Sequence, residues 1–152
     1  MTVEEVEEQP RHADSIDQQA ASLSALVLIL RFHQVAADAG QLRHELGHGA
    51  AATANELVRL AKNKGVKARL VTRQVDDLPS LPLPAIAETA DGFVVLGRAS
   101  AERILVQDAA TGDLAEMTAD AFEQAWTGRL ILITTRESVT GDARRFDVSW
   151  FI

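Results

Sequence analysis

The chain of 152 residues contains no cysteine and no tyrosine. The missing cysteine excludes disulfides, thiolate metal sites and a thiol nucleophile at once. Positive charge is scarce: 15 Lys and Arg stand against 22 Asp and Glu, a net charge of −7 with a pI near 5.0. That balance argues against nucleic acid as a partner of the surface as a whole. A membrane-length apolar run is also missing. The longest, "AASLSALVLIL" from Ala20 to Leu30, falls short of the ~20 residues that span a bilayer. A signal peptide is not indicated, because the opening "MTVEEVEEQP" is acidic where a signal would be basic. No GxxxxGK[ST] phosphate loop occurs, and there are no internal repeats or low-complexity tracts. These absences leave a cytoplasmic protein, or the cytoplasmic portion of a larger one, long enough for one domain with a real core. An apolar content of 47% fits that reading and argues against global disorder.

Among the features present, "HELGH" (His44, Glu45, His48) matches the HExxH pattern of zinc peptidases. On a helix that pattern sets two His ligands on one face with Glu as general base. The capping pattern argues against it here. Asp38 and Gln41 open a short helix, Leu42 and Leu46 give its inner face, and Gly47 stops it, so His48 falls beyond the helix. A third ligand is also required, and Glu56 already has a place in the next capping box, "TANE" from Thr53.

The remaining elements are read in order. Residues 1–14 are a flexible acidic arm. Asp17 caps a central helix running to about Gln34 that is apolar on nearly every side between Ala20 and Leu30. A third helix follows Thr53 and ends at Gly65. Alternation then predicts a strand over 66–71, and the prolines of "DDLPSLPLP" predict an extended linker. "AIAET" and "FVVLG" flank Ala90-Asp91-Gly92, a hairpin signal, with Asp91 read as a turn residue. "RILVQD" and "DLAEM" suggest a second hairpin with Asp108 at a strand end, Thr118 caps a short helix, and "RLILITT" is a final buried strand. Helices segregated from hairpin-linked strands, about five of them, mean an α+β fold with a largely antiparallel sheet. Ser22 and Ser24 lie on the buried helix with no base in reach, since His33 is two to three turns away, and are read as packing serines. Lys62, Lys64, Lys67, Arg69 and Arg73 concentrate positive charge within twelve residues. They are either a solvated strand edge with gatekeeping charges or a docking surface for an acidic partner.

Taken together, "LSALVLILRFHQVAADAGQLRHEL", "ANELVRLAKNKGVKARLV", "LPLPAIAETADGFVVLGRA", "ILVQDAATGDLAEMTADAFEQAWTGRLILITTR" and "RRFDVSWFI" resemble a known family. It is the N-terminal, peptidase C39-like domain of haemolysin-type (RTX) ABC transporters of type I secretion. That domain is related to the papain-like cysteine peptidases that trim double-glycine leaders. The resemblance runs from about Asp17 to Ile152 and implies a papain-like fold over residues 15–135, with 136–152 leading toward a membrane region in a longer polypeptide. It also implies what has happened to the active site. Ala21 stands where active members carry the nucleophilic Cys, and Ser15 where they carry an oxyanion-stabilising Gln. Gly92 stands where they carry His, or Asp91 if the hairpin is aligned differently, and Asp108 matches the acid. Without nucleophile or base, triad chemistry is not available. The resemblance then implies a degenerate domain without cofactor at the cytoplasmic face of the bacterial inner membrane. Its partners would be an unfolded RTX-type secreted protein and the transporter's membrane and nucleotide-binding domains. A zinc metallopeptidase and a free-standing adaptor of the same fold are the alternatives.

Overall fold

The computed structural model describes residues 3–135, with side-chain surroundings given from Asp17 onward. Helix α1 (Val3–Phe32) is followed by α2 (Ala39–Leu46), α3 (Ala54–Asn63) and strand β1 (Lys67–Thr72). A 3-10 turn (Val75–Ser80) leads to β2 (Ala85–Thr89), β3 (Gly92–Ala99), β4 (Arg103–Gln107), β5 (Leu114–Thr118), α4 (Ala119–Ala125) and β6 (Trp126–Thr134). The strands form one antiparallel sheet of six, ordered β1-β6-β2-β3-β4-β5, so the last strand inserts between the first two.

Two apolar layers, one on each face of this sheet, follow from the period of two along its strands. On one face Leu23, Leu26, Ile29 and Leu30 of α1 meet Leu42 of α2, Leu57 and Leu60 of α3, and Ala68, Ile86, Val95, Ile131 and Ile133 of the strands. On the other, Ala85, Ala87, Leu96, Ile104, Leu130 and Leu132 pack with Leu78, Phe122 and Trp126. The all-round apolar stretch of α1 is thereby accounted for, since it packs against the sheet on one side and against α2 and α3 on others. No helix among the described residues is long and apolar enough to cross a membrane.

Several boundaries follow the expected capping. The Asp38 carboxylate accepts from the Gln41 N–H at 3.0 Å, and Gly47 closes α2 in the left-handed region at φ 84°. Thr53 and Glu56 form the full capping box of α3, and the Thr118 hydroxyl caps α4. The two expected hairpins form, with Thr89 paired to Gly92 and Gln107 to Leu114.

Three expectations are corrected. First, α1 begins at Val3, so the segment expected to be a loose arm over 1–14 is helical from there, and Asp17 lies inside the helix rather than at its cap. Glutamate is a good helix former and is favoured near a helix N-terminus, and Pro10 lies within the helix. Second, the proline-rich linker is not extended throughout. Asp77 accepts from the Gln74 N–H at 3.0 Å, and a single 3-10 turn holds Pro79 before the chain reaches the cis Leu83–Pro84 bond. Third, all six strand segments read from the sequence form, one more than the tally of about five. The expected linker over 136–152 lies outside the described residues.

Candidate functional site

A cleft of about 540 Å³ opens between α1, the β2–β3 hairpin, the β4–β5 hairpin and α4. Asp17, Gln18 and Ala21 face it from α1, with the spacing that puts i and i+4 on one side of a helix. Thr89 to Val94 line it from the first hairpin and Val106, Asp108 and Ala110 from the second, while Met117, Phe122 and Ala125 complete its apolar wall. The fold thus brings together three positions that are far apart in sequence and were singled out there: Ala21, Gly92 and Asp108. Asp91, the alternative to Gly92, is in the same lining. Ser15 lies on the backbone of α1, but its side chain is outside the described surroundings.

The chemistry of this lining is limited. Among the described residues it contains no His, Cys or Ser. Of these, Thr89 supplies the hydroxyl, which donates to the Gly92 carbonyl at 3.2 Å. Gly92 follows a two-residue turn and has φ 145°, a backbone that L side chains rarely adopt, although the space around it is open. Asp108 is exposed, and its Oδ1 accepts from the N–H groups of Ala110 and Thr111 at 2.9 and 3.3 Å. The carboxylate therefore shapes its own turn.

The HELGH segment is not assembled as a metal site. His44 and Glu45 are on α2, but Gly47 ends the helix, and His48 lies past it. His48 Nε2 pairs with Glu56 at 2.6 Å, and its Nδ1 accepts from the Ala50 N–H at 3.1 Å. Glu45 instead receives Lys64 Nζ at 2.8 Å. Among the described residues, no group of three or more His, Cys, Asp or Glu is placed to hold a metal ion. Glu56 has two roles: one oxygen accepts from the Thr53 N–H at 2.9 Å, the other faces His48. The Thr53 backbone bond, then the His48 contact, hold its carboxyl below the ordinary range.

Sequence reasoning missed the residue that organises this loop. Gln19 is buried, and its amide donates to the carbonyls of His48 and Ala50 at 2.8 and 2.7 Å, tying the α2–α3 connection to α1. Nothing distinguishes it in sequence from its neighbour Gln18. Ser22 is buried and donates to the Gln19 carbonyl at 2.8 Å, a packing role.

The five basic residues differ in their surroundings. Lys64 is engaged by Glu45, and Arg73 donates to the Thr72 carbonyl. Lys62 is exposed on α3. Lys67 and Arg69 stand together on β1, exposed, beside a second cleft of about 360 Å³.

Comparison with known proteins places this architecture. The sequence pattern of the peptidase C39 family matches residues 11–138. The chain is 33% identical over 135 residues to the alpha-hemolysin translocation ATP-binding protein HlyB of Escherichia coli O157:H7, and 36% identical over 137 residues to the cyclolysin secretion/processing ATP-binding protein CyaB of Bordetella pertussis. These alignments cover 86% and 87% of this chain but only 19% of each relative. Among solved structures, the peptidase domain of Streptococcus ComA superposes with a TM-score of 0.71 at 19% identity, covering 80% of this chain and 95% of that one. The N-terminal peptidase C39 like domain of a toxin secretion ATP-binding protein from Vibrio parahaemolyticus gives 0.67 at 21%, covering 76% and 97%. With the pattern matched over most of its length and helices on an antiparallel sheet like those neighbours, the chain belongs to the peptidase C39 family and is homologous to the N-terminal domains of type I secretion ABC transporters.

Proposed function

We propose that this domain does not cleave leader peptides and instead docks an unfolded secretion substrate on the cytoplasmic side of a type I secretion ABC transporter in a bacterial inner membrane. One observation carries this reading: among the described residues, the cleft that gathers Ala21, Gly92 and Asp108 has no Cys, Ser or His in its lining. An acyl-transfer site needs a nucleophile and a base within hydrogen-bond reach of one another. On this reading the places of nucleophile, base and acid fall on a methyl group, a glycine and a turn-forming carboxylate, which line one cleft. The likeness to the haemolysin and cyclolysin translocation proteins supports a secretion role, and the partners would be an RTX-type passenger and the membrane and nucleotide-binding domains of the transporter. The likeness to peptidase domains, one of them in complex with a leader peptide, supplies the fold.

An ordered domain that captures an unfolded chain must offset the entropy of ordering it, so affinity is modest, on the order of micromolar. The test has two arms. Incubation with double-glycine leader substrates leaves them intact. Titration with an Asp- and Gly-rich repeat polypeptide gives binding without calcium, when the repeats are unfolded, and loses it when calcium folds them. Specific leader cleavage refutes inactivity. Equal affinity for both forms of the repeat polypeptide refutes docking of an unfolded chain.

A further inference from the structure

Among the described residues, strand β1 is one edge of the sheet, paired only with β6. The Arg73 N–H bonds to the Gly128 carbonyl at 2.8 Å, one step beyond the Thr72–Arg129 pair of the β1–β6 register. Residues 73 and 128 are therefore a hydrogen-bonded pair, and such pairs alternate along an antiparallel ladder. The backbone groups of Lys67, Arg69 and Val71 then point toward β6, while those of Ala68, Leu70 and Thr72 point away from the sheet. The outward Thr72 carbonyl is covered by the Arg73 guanidinium at 2.9 Å. Ala68 and Leu70 have no such cover among the described residues. Two N–H and two C=O groups thus form a short open template for another strand.

The side chains beside this template have a definite chemistry. Ala68 and Leu70 face the helices, so Lys67 and Arg69 lie on the opposite face, both exposed. They border the 360 Å³ cleft with Pro82, Leu132 and Thr134. Neither makes an ion pair among the described residues, although the chain carries a net charge of −7. Their spacing of two residues matches that of same-face side chains on an extended partner.

We propose that β1 accepts an extended acidic segment of a partner polypeptide as an added strand. Main-chain bonds form to Ala68 and Leu70, and carboxylates on alternate residues meet Lys67 and Arg69. This rests on the reading of the domain as a dock for an unfolded chain and names its mode and chemistry. A second copy of β1 is a poorer occupant, because two-fold antiparallel pairing centred on Ala68 sets Lys67 opposite Arg69, cation against cation.

The probe is a capped twelve-residue peptide alternating Asp and Thr, titrated into isotope-labelled domain. Binding is expected to protect the amides of Ala68 and Leu70 from exchange. A peptide N-methylated at every second residue, which cannot hydrogen-bond along one edge, is expected to bind at least tenfold more weakly. The same loss is expected for a Lys-for-Asp peptide and for Lys67→Glu with Arg69→Glu. Ala68→Pro removes an outward N–H without touching the β6 ladder and abolishes binding. Should that variant not fold, the N-methylated peptide makes the same test on the unaltered domain. Equal affinity for the N-methylated peptide overturns strand addition, as does protection of Ala68 and Leu70 by self-association without peptide. If the Asp-Thr peptide fails to bind while the calcium-free repeat polypeptide still does, the edge proposal falls and the docking reading stands. If the repeat polypeptide fails as well, both fall.

Discussion

Gln19→Ala is expected to destabilise the domain far more than the same change at Gln18. The Gln19 amide is the shared donor for two carbonyls, His48 at 2.8 Å and Ala50 at 2.7 Å, and the residue is only 4% exposed. Alanine leaves both acceptors without their partner. An orphaned buried polar group costs about 1–3 kcal/mol. Both bonds are part-buried, so water can reach the carbonyls and the lower end applies, giving about 2 kcal/mol for the pair. In a domain of this size ~1 kcal/mol moves Tm by roughly 2–4 °C, so a fall of about 4–8 °C is expected. Gln18 is exposed, and its substitution should stay within about 0.5 kcal/mol. Paired urea and thermal unfolding, with coincident near- and far-UV signals to check two-state behaviour, measures both. A loss below about 0.5 kcal/mol for Gln19→Ala, or equal losses at the two positions, would refute the idea that this amide anchors the α2–α3 connection.

Glu56 gives a pH dependence with a definite sign. Its carboxyl is held below its ordinary 4.5 by the Thr53 backbone bond first and the His48 contact second. The stability it contributes is full above 4.5 and is lost as pH falls through the lowered folded value. Glu56→Gln should therefore match the native protein more closely at acid pH than at neutral pH in urea unfolding. A constant offset between the two would count against the linkage. Ala21→Cys alone should leave double-glycine leaders uncleaved, because Gly92 supplies no base and its φ of 145° disfavours adding His there; specific cleavage by the single variant would contradict this. Elemental analysis should find no stoichiometric zinc that depends on His48, since His48 is held by Glu56 and Glu45 by Lys64. One tightly held zinc per chain, lost in His48→Ala, would reverse that conclusion.

The parts of the fold legible in sequence were those governed by local chemistry. Asp38, Gly47, Thr53, Glu56 and Thr118 cap helices because their side chains or backbone freedom act within four residues. The Ala90-Asp91 turn and the all-round apolar stretch of α1 were legible on the same grounds. The start of α1 was not, because a Glu-rich segment with one proline carries opposing signals. The site divides in the same way. Placing Ala21, Gly92 and Asp108 in one cleft required family resemblance, since no periodicity links a helix to two hairpins. Gln19 and the Glu45–Lys64 pair join segments 29 and 19 residues apart, and no local pattern marks such partners. The basic cluster looked continuous because sequence shows proximity along the chain. In the structure Lys62 lies on α3 and Lys64 has Glu45 as its partner, while Lys67 and Arg69 share one face of β1.

The resemblance sets Asp108 at the place of the active family's acid, and the structure gives this residue a role without catalysis. Its Oδ1 accepts from the N–H groups of Ala110 and Thr111, and the Gly112 N–H returns to its carbonyl at 2.7 Å, closing the β4–β5 connection. This turn needs a short side-chain acceptor at 108, and the charge is not required. Asp108→Asn should therefore fold with stability close to native, because the amide oxygen takes over both bonds. Asp108→Ala removes the acceptor and should cost about 1 kcal/mol, the net worth of a typical intramolecular hydrogen bond, since the turn is exposed and water can replace part of the loss. Urea unfolding of the two variants, with exchange rates of the Ala110 and Thr111 amides as a local readout, separates the cases. Equal destabilisation by Asn and Ala would show that the charge is what matters. The carboxylate would then need a partner in the cleft, and the reading of Asp108 as a turn residue alone would be wrong.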